Sequence, residues 1–218
     1  MNEPFLSFLS RAPAEEWNAW RMRHTEVPRL AHSTFRGVDF RGHVFDDMVF
    51  RHTRFLDCRF HSVNITGTDF SDCSFDNVHF SNSVGARPNF TRSFFDGGRL
   101  SDCKFPGMCL FGLQAKALVV QDSELRRGSA GLVHLERCDI SRTDLRYTSF
   151  TQGAFHRCKF STCDFGGTEF PHDAFKSSTV EFCDFSGSDN IPRTHYYPAT
   201  LQTAVQLDLF LSRPPHEP

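Results

Sequence analysis

No stretch of about twenty apolar residues occurs in this chain, which excludes a transmembrane helix. Neither sign of charge dominates: 24 Lys and Arg stand against 26 Asp and Glu, a net charge of −2. Nothing global therefore points to nucleic acid or to a membrane surface. The N-terminus lacks a basic segment followed by an apolar core, so no secretory signal is expected and a cytoplasmic location is. A phosphate-cradling glycine loop, HExxH and GxSxG are all missing. These absences argue against an enzyme and against a cofactor.

What the chain does have is a period. Phenylalanine falls on every fifth residue: Phe35, Phe40, Phe45, Phe50, Phe55, Phe60, Phe70, Phe75, Phe80, Phe90, Phe95 and Phe105, then Phe150, Phe155, Phe160, Phe165, Phe170, Phe175 and Phe185. Of 22 Phe between residues 35 and 190, 19 share this register. Neither a helix nor an ordinary strand repeats every five residues, so the pattern is that of a solenoid. The exceptions are mostly aliphatic, such as Ile65, Leu100, Val120, Leu125, Ile140 and Leu145. Only Gly85 and Asn190 break the register. The position two residues earlier is usually small, and the rest of each unit is mostly polar. That small position holds Cys58, Cys73, Cys103, Cys138, Cys158, Cys163 and Cys183, leaving only Cys109 elsewhere. These seven read as buried, reduced thiols acting as small hydrophobes. Pairs twenty residues apart, Cys138 with Cys158 and Cys163 with Cys183, are close enough to permit a disulfide by distance, but a cytosolic setting argues against one.

Units such as CRF-HS, TDF-SD, CSF-DN, CDF-GG and CDF-SG resemble the pentapeptide-repeat family, whose unit is small–polar–(Leu/Phe)–polar–polar. The likeness covers residues 31–190. It implies an all-β solenoid: a right-handed quadrilateral β-helix with four units per coil and about eight coils. The expected organisation is an N-terminal helical cap over 1–30, the β-helix over 31–190, and a C-terminal helical cap with a loose tail over 191–218. A lone unit cannot bury its own Phe. Stacked coils can, at about 1.5–3 kcal/mol for each ring, and the two ends then need covers.

Residues 12–24 read as a short helix, with Pro13 in its first turn and acidic and basic residues at the matching ends. Trp17 and Trp20 share one face as a lid over the first Phe layer. Residues 199–211 also look helical, with Leu201, Ala204, Val205 and Leu209 on an apolar side. Some members of the family dimerise through their C-terminal ends, so the resemblance makes this side a candidate homodimer seam. In the less regular stretch 81–131, Gly85 and Pro88 allow either an uninterrupted coil or a loop over 84–89, and the unbroken register favours the coil.

Coils of twenty residues turn the numbering into a surface map. Glu124, Asp144, Asp164 and Asp184 form one acidic column, and Glu169 and Asp189 a shorter one beside it. Arg126 and Arg146 are placed to neutralise Glu124 and Asp144, leaving the last coils negative. Arg59, His79 and Arg99 make a column of opposite character. His32, His52 and Asp72 also stack, a set of metal-ligand types, although a solvated column is the simpler reading and no metal site is expected. The Asp that precedes the central residue also has a structural use, since its carboxylate can bond local backbone.

The expectation is a non-enzymatic scaffold that binds a protein partner through rigid side-chain ladders. The resemblance implies an alternative. Some members of the family mimic DNA, bind DNA gyrase, and give quinolone resistance or toxin immunity. In that reading the acidic column is the interaction face.

Overall fold

The computed structural model describes residues 3–24, 26, 30–171, 174–175 and 177–188. It is a parallel β-solenoid with two short helices at its N-terminal end. One side carries seven strands in unbroken parallel register, Thr34–Arg36, Arg54–Leu56, Ser74–Asp76, Phe94–Asp96, Gln114–Lys116, His134–Glu136 and Ala154–His156. The next side carries another seven, Arg59–His61, His79–Ser81, Arg99–Ser101, Val119–Gln121, Asp139–Ser141, Lys159–Ser161 and Thr179–Glu181. Each residue pairs with the one twenty positions on, as Phe55 does with Phe75. On the third and fourth sides the pairing shrinks to single bridges at the same interval, from Val44↔Asn64 to Asp164↔Asp184 and from Val49↔Asp69 to Ser149↔Glu169.

Dividing 160 residues by twenty gives eight coils, but the ladders hold about seven regular turns. The eighth strand of the first side would centre on Phe175, which is buried but lies in a turn. The chain enters that coil through Pro171, which has no N–H to donate.

The core is a lattice of rings. Along a column the rings lie parallel: Phe35–Phe55 at 5.3 Å and 9°, Phe55–Phe75 at 5.2 Å and 7°, Phe50–Phe70 at 5.3 Å and 6°. Around one coil they meet edge to face: Phe35–Phe40 at 78°, Phe40–Phe45 at 79° and Phe45–Phe50 at 89°. Both arrangements suit the ring quadrupole. Phe60, Phe150, Phe160, Phe165 and Phe170 are buried in the same way.

The small positions are more than fillers. Their hydroxyls and thiols donate to the carbonyl 23 residues earlier: Thr68 to Phe45, Ser93 to Phe70, Cys73 to Phe50, Cys138 to Ala115 and Cys163 to Ile140. This explains why Cys, Ser and Thr interchange there, since buried polar groups need partners. All eight cysteines are free, seven of them buried. Burial pushes the Cys73 and Cys103 thiols up to about 12, which makes them poor nucleophiles. In native protein at pH 8, Ellman's reagent should therefore modify Cys109 rapidly and the other seven only after unfolding. Several fast-reacting thiols would contradict this packing.

Among the described residues the corners are turned by a residue in the left-handed region two places after the central residue, and after Phe95 both Gly97 and Gly98 lie there. Among the described residues 23 non-glycines occupy it, including Leu132 at φ 57° and Tyr147 at φ 57°. That conformation costs an L-residue about 1–2 kcal/mol. Replacing the exposed Leu132 with Gly should therefore be neutral or stabilising by up to about 1 kcal/mol, read as a rise in melting temperature. A fall in melting temperature would mean that Leu132 makes contacts outweighing its strain.

Gly85 does not open a loop. Val84 and Asn89 keep their bridges to both neighbouring coils, and Gly85 N–H donates to Lys104 O at 2.9 Å. A Cβ at Gly85 would stand 2.6 Å from Ile65 Cγ1. The isoleucine occupies the space that a ring fills elsewhere.

The N-terminal cap contains one helix more than its sequence suggested. Helix α1 spans Glu3–Arg11 and α2 spans Ala14–Arg23, with Pro13 as N-cap rather than within the first turn. Trp17 is fully buried, and its Nε1–H donates to Val44 O at 2.8 Å. Asn18 Nδ2 donates to Gly42 O, and Val44 N–H donates to Asn18 Oδ1. These bonds occupy backbone groups of the first coil that would otherwise form an open edge. The candidate seam Leu201, Ala204, Val205 and Leu209 lies outside the described residues.

Candidate interaction face

The third side places Lys104, Glu124, Asp144, Asp164 and Asp184 in one line, each bridged to the next. Asp144, Asp164 and Asp184 are there for a local reason first. Each Oδ1 accepts the backbone N–H two residues on: Arg146 at 3.0 Å, Gly166 at 2.9 Å and Ser186 at 2.9 Å. Asp39, Asn64, Asp69 and Asn89 do the same at other corners. These turns close the corner and fix the carboxylate's direction.

Charge along this line is uneven. Glu124 pairs with Lys104 at 3.1 Å. Arg146 reaches both Asp144, at 2.7 Å, and Asp164, at 3.3 Å. Partial burial pushes the Asp144 carboxyl up, but hydrogen bonds from the Arg146 side chain and backbone outweigh this and hold it below the ordinary value. Sequence reasoning assigned Arg126 to Glu124, whereas Lys104, one coil away in the same column, makes the pair. One guanidinium therefore serves two carboxylates, and Asp184 makes no salt bridge among the described residues, so the line grows more negative toward its Asp184 end. Glu169 lies on the adjacent side and accepts from Ser149 Oγ at 3.1 Å. Asp189 lies outside the described residues.

The column of opposite character also forms, with Arg59 paired to His79 and His79 to Arg99. The His32–His52–Asp72 set does not come together as ligands. The imidazoles stack face to face at 4.8 Å and 9°, so their ring nitrogens do not converge on a common point. Asp72 instead takes a forked pair of bonds from Arg92 at 2.7 and 2.8 Å. That fork holds the Asp72 carboxyl below its ordinary value. Among the described residues no cluster of three His, Cys, Asp or Glu is placed to hold a metal.

One surface feature was overlooked although its signal was visible. Three Phe between residues 35 and 190 fall off the five-residue register: Phe94, Phe111 and Phe182. These same three are exposed, at 39%, 45% and 53%. Phe94 and Phe111, with the exposed Leu132, occupy successive coils around the corner between the fourth and first sides, away from the acidic line.

A family model described as "Pentapeptide repeats (8 copies)" matches residues 29–67 and 64–102, and the same coil continues in register to residue 188. Residues 29–102 carry pentapeptide repeats. Among solved structures it is similar to full-length QnrB1, a plasmid-mediated fluoroquinolone resistance protein, with 16% identity over 85% of this chain and 99% of that one at a TM-score of 0.38. A trypsin-treated QnrB1 variant gives 21% identity over 85% and 87% at a TM-score of 0.42. HetL, a pentapeptide-repeat protein involved in heterocyst differentiation regulation from the cyanobacterium Nostoc sp. strain PCC 7120, gives 14% identity over 74% and 82% at 0.37. No curated protein sequence matches the chain. No helix among the described residues is long and apolar enough to cross a membrane.

Proposed function

We propose that this protein is a non-enzymatic pentapeptide-repeat scaffold that binds a protein partner through its outer side-chain columns. The observation that supports this most is the line of Asp144, Asp164 and Asp184. Three carboxylates, each fixed in direction by its own turn, recur on neighbouring coils. Rigid groups at a strand interval of about 4.8 Å suit a long partner surface, because little side-chain entropy is lost on binding. The interior is filled by stacked rings, so chemical variety resides on the outside.

A second reading deserves its own test. In it the chain binds a type II topoisomerase such as DNA gyrase as a DNA mimic, and so gives quinolone resistance or toxin immunity. The more negative end of the column supports this reading: Asp164 shares Arg146 with Asp144, Asp184 makes no salt bridge among the described residues, and Glu169 lies beside them. The salt bridges of Glu124 and Asp144 restrict it to that end. Asn64 and Asn89 already make the corner bond that Asp makes elsewhere. Asp164→Asn with Asp184→Asn should therefore remove charge and keep the turn. Under the gyrase reading, wild type alters supercoiling or protects against a gyrase poison at micromolar concentration, and the double variant loses at least about tenfold of that effect. No effect of wild type removes the gyrase reading. The scaffold reading predicts a cytoplasmic protein partner recovered by affinity capture and weakened by face-specific substitutions. Its failure would be a partner bound equally by variants on all four sides.

A further inference from the structure

We propose that His43 makes the N-terminal cap a pH-dependent closure, docked at neutral pH and released as the solution becomes mildly acidic. His43 occupies a small-residue position, in the column that continues as Val63, Ser83, Cys103 and Ser123. A ring fits there because no coil lies above it. It packs against the cap, stacked on Trp17 at 6.2 Å and 26°, and lies against Phe40 at 5.8 Å and Phe45 at 5.5 Å. The side chain is buried. Its Nδ1 is 3.2 Å from Arg41 O and donates to it, while Nε2 is buried with no hydrogen-bond partner. That bond fixes the neutral tautomer, with the bare nitrogen inside the cap interface.

Protonation there would place a cation among aromatic rings. Burial lowers the affinity of His43 for a proton. The carbonyls of Arg41, Phe40 and Ala12 and the carboxylate of Asp39 act the other way, without overturning the direction. Other charged groups of the cap look elsewhere. Arg21 of α2 turns to Asp46, bonding its carbonyl at 2.9 Å and its carboxylate at 3.7 Å, and Arg11, Glu15 and Glu16 are exposed. Directly below, the next residue in the column is the apolar Val63.

The sign follows from linkage. The docked state holds His43 neutral below the ordinary value of 6.5, whereas the released state titrates near it. Docking is therefore complete above about pH 6.5. Below that, each pH unit weakens it by up to tenfold, until the docked histidine is itself protonated. Release would free Gly42 O, Val44 N–H and Val44 O, now held by Asn18 and Trp17, and expose the first ring layer.

The test is hydrogen–deuterium exchange of the full chain from pH 7.5 to 5, corrected for intrinsic rates. Peptides covering 14–23 and 42–46 are compared with 114–121 as an internal control. Tryptophan emission would mix two histidines, because exposed His24 stacks on Trp20 at 4.2 Å. The expected result is a rise in cap exchange below pH 6.5, by up to tenfold per pH unit, with the control unchanged, and no rise in His43→Leu. Equal pH dependence in wild type and variant, or none in wild type, overturns the proposal. Should the variant fail to fold, nitrogen-15 NMR of wild-type histidines decides. A His43 ring titrating at or above 6.5 in the docked state overturns it, and one titrating below supports it.

Discussion

Phe55→Ala should cost about 3–5 kcal/mol of stability, among the largest effects of any side-chain truncation in this protein. Phe55 lies parallel to Phe35 and Phe75 within its column and meets Phe40, Phe50, Phe60 and Phe70 edge-on. Truncation removes burial, and the neighbours cannot close the space. Each is held on its own rung by backbone bonds to an adjoining coil, so collapse in one column would break register in all four. Phe55→Leu keeps most of the volume and should cost clearly less. Denaturant unfolding of both variants reads the difference. Equal, small losses would mean that the ring lattice is soft. Such a lattice would also lack the rigidity on which the proposed side-chain ladders depend.

A second large effect is expected where no side chain is removed. Gly98 has φ +83°, and a Cβ there would overlap the carbonyl oxygen of Val78 and stand 2.9 Å from its nitrogen. These are backbone atoms of the coil beneath, which cannot yield without parting the two coils. Gly98→Ala should therefore cost about 3–5 kcal/mol, the sum of a left-handed penalty and a collision with fixed atoms. Gly97 is the control. It also lies in the left-handed region, at φ +67°, yet a Cβ there meets nothing within 4 Å. Gly97→Ala should cost about 1–2 kcal/mol, the backbone penalty alone. Similar losses from the two substitutions would show that coil spacing near residue 98 is looser than the register of Phe80 with Leu100 requires.

Much of this was legible because a solenoid converts sequence distance into spatial distance at a fixed rate. The spacing of Phe35, Phe55 and Phe75 is enough to place those rings on one column. The same arithmetic aligns Glu124 with Asp144, Asp164 and Asp184. Local bond choice is harder to read. Spacing shows that Arg146 lies near two carboxylates but not that it bridges both. It also does not show that Glu124 turns to Lys104, because long side chains choose among several neighbours on rungs about 4.8 Å apart. The forked pairs Asp72–Arg92 and Asp122–Arg142 are twenty residues apart and could have been drawn from the numbering. Helix α1 was missed because Phe5, Leu6, Phe8 and Leu9 make only two turns, too short for a distinct helical period. The role of His43 could not be read either. It heads a column of smaller residues, but only the docked α2 shows that its ring points into an interface.

Residues twenty apart sit one rung apart along a column. Spin labels at Arg54→Cys and His134→Cys, both on exposed positions of the first side, test this directly by pulsed dipolar spectroscopy in a Cys109→Ser background, where the seven buried thiols stay unlabelled. Four rungs of about 4.8 Å predict a single narrow distance centred near roughly 19 Å. A broad distribution, or one centred beyond about 30 Å, would contradict the coil length and with it every column described above.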